Sequence, residues 1–215
     1  MKFYIDPPST PIVKKLIVDD LMLQLNVARV ASDNEMNNRA KKLTKKIIKD
    51  CDFIRALKRD ELRGSFGLPP GGYNAAIDSI VNETSSDTYI YSRPLKIVGN
   101  TISGGWVLAI GSDLFEKMKN MSTVIQDTEK GAKLPWLRWT LERGNSIIIT
   151  NFRVKFQIGK GRSGFAHMIP NAVIGYRVPP QFAGTDHDNW FTKAIIPRLD
   201  EYSDIILKTL DKYAP

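Results

Sequence analysis

The chain has 215 residues, 42% hydrophobic and 25% charged, which is enough for one domain, or one domain with appendages, around a sizeable core. Thirty-one Lys and Arg against 23 Asp and Glu leave a formal charge of +8. That surplus favours a polyanionic neighbour, most simply nucleic acid, although it also serves merely to keep copies apart in solution. The single cysteine, Cys51, excludes an intrachain disulfide and a thiolate metal cage and fits a reducing place of synthesis. No apolar run reaches the roughly 20 residues that span a bilayer, so no membrane partner is expected. Asp6 and the prolines of MKFYIDPPSTP stand where a signal peptide carries its apolar segment, which argues against export by that route.

Met1 to Ile5 reads as a short strand or an arm, ended by Asp6-Pro7-Pro8, with Ser9-Thr10-Pro11 as a cap and first-turn proline. From Val13 two periods compete. Val13, Leu16, Ile17 and Leu21 fit a helix, while Leu21, Leu23, Leu25 and Val27 alternate as in a strand. The absence of turn residues favours helix. Ser32 and Glu35 then form an S-x-x-E capping box, which predicts a second helix over residues 34–62. Its seam is Met36, Ala40, Leu43, Ile47, Cys51, Ile54 and Leu57. At 1.5 Å per residue such a helix is about 40 Å long. Its other faces are strongly basic, with Lys42, Lys45 and Lys49 on one arc as candidates for contact with DNA or an acidic partner. A solvated helix face accounts for the same charge run without any partner.

Gly67 to Gly72 (GLPPGG) is the clearest break and is expected to be an extended connection. It divides an N-terminal arm and helical region (residues 1–66) from an α+β core with a C-terminal helix (residues 67–215), the whole compact enough to be one domain. Within the core, residues 75–81 suggest a short helix. Tyr89, Tyr91, Leu95 and Ile97 mark a strand that Arg93-Pro94 confines to an edge. Ser103-Gly104-Gly105 is read as a turn into the apolar strand Trp106 to Ile110, and Asp113 as the cap of a small helix to Met121.

Residues 134–170 look like the centre of the fold. Leu134, Trp136, Leu137 and Leu141 give a short helix, with Arg143-Gly144 as its basic last turn and stop. Ile147-Ile148-Ile149 follow. Phe152, Val154, Phe156 and Ile158 then alternate with Arg153, Lys155 and Gln157, as in a strand with one buried and one wet face. Gly159, Gly161 and Gly164 turn the chain so that Phe165 to Ile169 returns as the partner strand. Residues 176–189 are rich in Pro, Gly and Asp and predict an ordered loop or an arm. Asp186 or Asp188 is positioned to cap a final helix that Pro197 kinks or divides. The elements add up to an α+β fold, a helical N-terminal part joined to a sheet and further helices.

Reaction chemistry is hard to find. Gly159-Lys160-Gly161-Arg162-Ser163-Gly164 is a literal G-x-G-x-x-G, with Asp186 about 20 residues on. A dinucleotide site needs a helix after the third glycine, whereas Phe165 to Pro170 reads as a strand. Lys160 and Arg162 then form a basic hairpin tip that faces solvent, a phosphate or a neighbouring subunit. His167 lies mid-strand, Asp186-His187-Asp188 are too close in sequence to converge on a metal, and Ser163 lacks a hydrolase elbow. Cys51 sits on an apolar seam. No catalytic residue, metal ligand or cofactor is assigned, and an enzyme is not expected.

Leu134-Pro135-Trp136-Leu137-x-Trp139, Gly144 with a strand at Ile147, Arg162-Ser163-Gly164, Met168 and Val178-Pro179-Pro180-x-Phe182-Ala183-Gly184-Thr185 with Asn189 resemble a pattern found in tailed-bacteriophage neck or tail-completion proteins. The resemblance covers about residues 60–200. It implies a two-layer α+β virion subunit, an antiparallel or mixed sheet packed by helices on one side with a long N-terminal helical region and extended arms, that assembles as a homo-hexameric ring around the channel for double-stranded DNA. Its partners would be other neck, portal-adaptor or tail proteins. Trp136, Trp139, Pro179, Pro180 and Phe182 are the core or assembly motif it marks. A nucleic-acid-binding protein that uses the basic face of residues 34–62 is the alternative.

Overall fold

The computed structural model describes residues 10–59, 61–98, 101–127, 131–170, 173 and 175–213. In chain order the elements are α1 (Thr10–Asp50), α2 (Asp52–Lys58), α3 (Glu61–Phe66), α4 (Gly72–Ser86), β1 (Thr88–Val98), β2 (Thr101–Ile110) and α5 (Leu114–Asn120). They continue with β3 (Ile125–Asp127), β4 (Lys133–Pro135), α6 (Trp136–Glu142), β5 (Phe152–Phe156), β6 (Ala166–Pro170), α7 (Trp190–Ile195) and α8 (Leu199–Tyr213). The fold is α+β, with a long N-terminal helix and small sheets. Among the described residues its strands pair as β1–β2, β3–β4 and β5–β6, three two-stranded sheets rather than one larger one. Contacts group into two units. One comprises Met1–Ala40, Tyr89–Ala109 and Glu201–Pro215, the other Lys41–Thr88 and Ile110–Asp200. Each unit draws on separated segments, so these groupings differ from a division at residues 66 and 67. The expected arm at Met1 to Ile5 and the Ser9 cap lie outside the described residues.

In the first unit α1 runs without the break expected at Ser32. No Gly or Pro occurs between Pro11 and Gly64, so nothing stops the turns that precede Ser32. Its buried hydroxyl donates back to the Arg29 carbonyl at 3.1 Å, as mid-helix serines do. Glu35 is likewise no capping partner. It accepts from Lys212 Nζ at 2.7 Å and from the Tyr213 hydroxyl at 3.1 Å, which ties the end of α8 to α1. The 41 residues of α1 make it about 60 Å long.

A polar row on α1 holds β1. Asn26, Arg29, Asp33 and Asn37 recur at spacings of three and four, so they share one face. The Asn37 amide donates to Ile90 O and accepts from Ile90 N, both at 2.8 Å. Asn26 does the same for Leu95 at 3.4 and 3.1 Å. Between them Arg29 donates to the Ser92 hydroxyl, which donates to Asp33. The two asparagines supply the donors and acceptors that a further strand would, and so they blunt an open sheet edge. Ile90 and Leu95 differ in parity, so one irregular residue must lie between them, where Arg93-Pro94 sits. Opposite, Gly104 and Gly105 have positive φ. They lie inside β2 rather than in a turn, and a Cβ on Gly104 would stand 2.3 Å from Pro94 O.

The second unit is organised by aromatic rings. Trp136 is fully buried and stacks on Phe66 at 5.3 Å and Phe53 at 6.4 Å between centroids. Phe53 stacks on Trp190 at 4.4 Å and meets Phe182 edge-on at 6.2 Å. Trp139 meets Tyr176 edge-on. Helices α2, α3, α6 and α7 and the loop over residues 176–189 are thereby joined. That loop is ordered and packed, with Val178, Phe182 and Asn189 buried.

Several local expectations need correcting. The helix expected over 34–62 is three pieces: α1 ends at Asp50, Cys51 is extended (ψ 156°), and α2 and α3 follow. GLPPGG is a tight turn rather than an extended connection. Gly67 and Gly71 have positive φ, Leu68 is buried, and α4 starts at Gly72. Ile147 to Ile149 make a single bridge, Ile149 to Tyr176, and no strand. Asp113 occupies the N-cap of α5 without a side-chain cap bond. Asn189, not Asp186 or Asp188, caps α7 in a reciprocal box with Thr192. Pro197 divides α7 from α8 through a single 3-10 turn, as its missing N–H requires.

Trp136→Ala is expected to cost about 3–5 kcal/mol, because it empties the centre of a ring cluster that cannot collapse without moving four helices. Urea unfolding would register this as a lower midpoint.

Lys119, almost wholly buried, bonds Glu116 at 2.7 Å and also Glu142, which accepts from Arg138 Nε at 2.7 Å. Burial alone would raise the Glu142 carboxyl. The bonds from Lys119 and Arg138 more than reverse this and hold it below the ordinary carboxylate range. Burial opposes the Lys119 charge too, and its two carboxylates outweigh that, so its pKa is raised. A depressed carboxyl contributes stability above its unfolded pKa and loses it as pH falls through the folded value. Glu142→Gln is therefore expected to lower stability at neutral pH, with the deficit shrinking in acid. Thermal unfolding of both proteins across pH 2–7 (a range of roughly five units) measures this.

Candidate functional site

The glycine run is a hairpin turn. Gln157 N–H donates to Phe165 O at 2.7 Å and Gly159 N–H to Gly164 O at 2.8 Å, and β5 pairs antiparallel with β6 from Phe152↔Pro170 to Phe156↔Ala166. Ser163 is fully buried. Its oxygen accepts from Phe165 N at 3.2 Å and Ala166 N at 3.1 Å, so it shapes the turn and is not presented as a nucleophile. Strand β6 stands where a dinucleotide fold needs a helix. Gly161 has φ +67°, and a Cβ there would lie 2.0 Å from Ala166 O. Gly161→Ala is expected to destabilise by roughly 1–3 kcal/mol, read from the unfolding midpoint, while millimolar NAD or ATP leaves the parent's melting temperature unchanged.

Other candidate groups are also engaged or inert. His167 is part of β6, and among the described residues its buried Nδ1 has no hydrogen-bond partner. Burial pushes the Cys51 thiol up to about 11, far from a reactive thiolate. Burial likewise raises the Tyr176 phenol. Among the described residues no group of three or more His, Cys, Asp or Glu is placed to hold a metal. No described helix is long and apolar enough to cross a membrane.

The residues singled out from the sequence separate into three places. Lys42, Lys45 and Lys49, with Lys46, are exposed on α1 at i, i+3, i+4, i+7 spacing and form one basic arc; Lys45 touches the Asn82 side chain at 3.3 Å. Lys160 is exposed at the hairpin tip, but Arg162 is tied down. Its Nε donates to Gly67 O at 2.8 Å and its Nη1 to Asp127 O. Trp136, Trp139 and Phe182 are core, Pro179 is half-buried and Pro180 exposed. The spaced residues 134–144 and 178–189 meet in space. Gly144 N–H donates to Gly184 O at 2.8 Å, a Cβ on Gly184 would stand 2.5 Å from Thr140 O, and Phe182 N–H closes a turn onto Pro179 O.

The hairpin leaves a cleft that the sequence did not disclose. Arg63 lies over the Phe165 ring at 4.1 Å and over Tyr73 at 5.6 Å, so the hairpin tip is pinned to α3 and α4 by this cation and by Arg162. Away from the tip the strands do not close on the helices. An apolar cleft of about 510 Å³ remains, lined by Gly64 to Gly67, Leu134, Trp139 and Ile149 on one side and Phe152, Val154 and Met168 on the other. The strand face expected to be buried is thus open: Phe152 is 39% exposed and Phe156 56%, and Ile158 lies beyond the strand in the turn. Alternation correctly assigned these residues to one face; it carries no information about whether that face is covered. Between Glu142 and Asp186 the chain has no carboxylate, and Arg153, Lys155 and Lys160 are exposed around the hairpin. No protein-family model, curated protein or solved structure matches the chain.

Proposed function

We propose that this protein is a structural virion subunit of a tailed phage, a ring-forming neck or tail-completion component that joins head and tail around the DNA channel. The observation that carries this reading is the apolar surface left uncovered. On α1, Ile12, Leu16, Leu23, Val27 and Val30 are all exposed, and the hairpin cleft is open. Uncovered apolar area on this scale marks a protein–protein contact. The residues that carry the resemblance to neck proteins support it further, since α6 and the loop over 178–189 meet in one connected piece. A chain of this kind assembles in the host cytoplasm and ends in the virion, beside other neck, portal-adaptor or tail proteins.

The basic arc of α1 favours a second reading, a nucleic-acid-binding protein, and one experiment separates the two. Lys42, Lys45 and Lys49 reversed together to Glu are expected to leave the subunit folded, because exposed substitutions typically shift stability by about 0.5 kcal/mol. Negative-stain images of parent and variant should both show rings, while weak, salt-dependent affinity for duplex DNA falls in the variant. Monomers that bind one DNA sequence tightly would instead establish the second reading.

A further inference from the structure

The β5–β6 hairpin has two faces of opposite character. Side chains alternate along a strand, so Phe152, Val154 and Phe156 share one face, toward the apolar cleft, and Arg153 and Lys155 share the other. The register carries this division across to β6. Met168 and Ala166 stand opposite Val154 and Phe156, whereas Ile169 and His167 stand opposite Arg153 and Lys155. Arg153 and Lys155 are exposed, as are Gln157 just after the strand and Lys160 at the tip. The outer face of the hairpin is therefore cationic and wet, on the side away from the cleft.

No acid within the fold answers these cations. Elsewhere Arg39 pairs with Glu35, Lys117 with Asp87 and Lys208 with Asp204. Among the described residues Arg153, Lys155 and Lys160 form no ion pair, and the chain carries no Asp or Glu from Arg143 to Thr185. Asp127 comes near the tip, but there its backbone carbonyl accepts from Arg162. Arg153 and Lys155 stand about 7 Å apart along one strand face. Like charges held together in this way destabilise the folded chain, and an anion from outside reverses the sign. Arg162 on Gly67 O and Arg63 over Phe165 hold the hairpin to the helices, so the cations sit on a fixed support.

We infer that this outer face binds the phosphate backbone of B-form duplex DNA, with Arg153, Lys155 and Lys160 as the contacting cations. The inference rests on the proposed place of the protein around a DNA channel and names an element that faces the duplex there. The make-up of the face selects this partner. Single strands are held by aromatic rings set beside the cations, on which bases stack, and here Phe152 and Phe156 lie on the opposite face. An A-form RNA duplex has a deep, narrow major groove, whereas the B-form groove, about 12 Å wide, admits a two-stranded ribbon. Reading bases takes a pattern of donors and acceptors, and this face offers cations and Gln157 alone. The contact is thus with phosphates and independent of sequence.

Fluorescence anisotropy with a labelled duplex of mixed sequence, titrated at several salt concentrations, tests this. Neutralising all three cations, as Arg153→Gln/Lys155→Gln/Lys160→Gln, is expected to make the slope of log K against log salt shallower by about 2.7. Binding at about 50 mM salt should weaken at least tenfold. The control Lys14→Gln/Lys15→Gln/Lys96→Gln removes the same charge from exposed positions elsewhere and should weaken binding by less than about twofold. The basic arc of α1 is intact in every one of these proteins, so its share is constant. Far-UV circular dichroism checks folding, and should the triple variant not fold, Lys155→Gln alone decides through a slope change of about 0.9. An unchanged slope, or an equal loss in the control, overturns the contact. Duplex RNA bound as tightly as duplex DNA would overturn the choice of partner. So would poly-glutamate held as tightly as DNA and lost equally in the variant, which would assign the face to an acidic protein. Negative-stain images keep the two readings apart. Rings with an unchanged slope sink the contact and leave the ring subunit standing, whereas a hairpin-dependent slope without rings does the reverse.

Discussion

The stacking of Phe53 between Trp136 and Trp190 is the constraint on which the larger unit depends. Phe53 comes from α2, Trp136 from α6 and Trp190 from α7, so three segments far apart in the chain share one ring stack. Phe66 and Phe182 complete it from α3 and from the loop before α7. Rings of this size bury a large area each and favour offset or edge contacts. Much of the surrounding backbone is shaped to bring them together. The Asn189 cap starts α7 directly before Trp190, Gly184 lets the loop approach α6 to a distance no Cβ would tolerate, and the GLPPGG turn sends α4 off from the end of α3.

The smaller unit is held differently. Its characteristic contact is polar: four side chains on one face of α1 satisfy the backbone and one hydroxyl of β1. A two-stranded ribbon alone is marginal in water. Side-chain amides that act as a further strand remove the penalty of an open edge. The exposed apolar row Ile12, Leu16, Leu23, Val27 and Val30 runs along a neighbouring face of α1, about 80° round from the asparagines. The same division of labour holds at the hairpin, where Arg63 and Arg162 fix the tip and the middle of the strands stays open.

Uncovered apolar surface and engaged polar groups together frame the functional reading. Groups that might have carried chemistry have visible structural employment: Ser163 in the turn, Arg162 on two carbonyls, Asn189 in a cap, Cys51 shifted away from reactivity. Among the described residues a basic arc and an apolar helix row stand exposed, and an apolar cleft opens beside the hairpin. The proposed ring subunit would use such surfaces for its contacts.

Much of this was written in the residues themselves. The 3.6 period from Met36 to Ile47, the helix closed by Gly144, the antiparallel hairpin turned by Gly159 to Gly164, and the division at Pro197 all follow from local rules, since each depends on neighbours a few positions away. The S-x-x-E at Ser32 misled for the same reason: a capping box acts only where the chain enters a helix, and here the helix was already running. Whether the Phe152–Phe156 face would be covered, which asparagines would pair with β1, and where Arg63 would find its rings were decided by segments tens of residues distant. Periodicity fixes which side chains share a face. Only the tertiary structure decides what that face meets, because burial and hydrogen-bond satisfaction belong to the packed whole and not to any stretch of it.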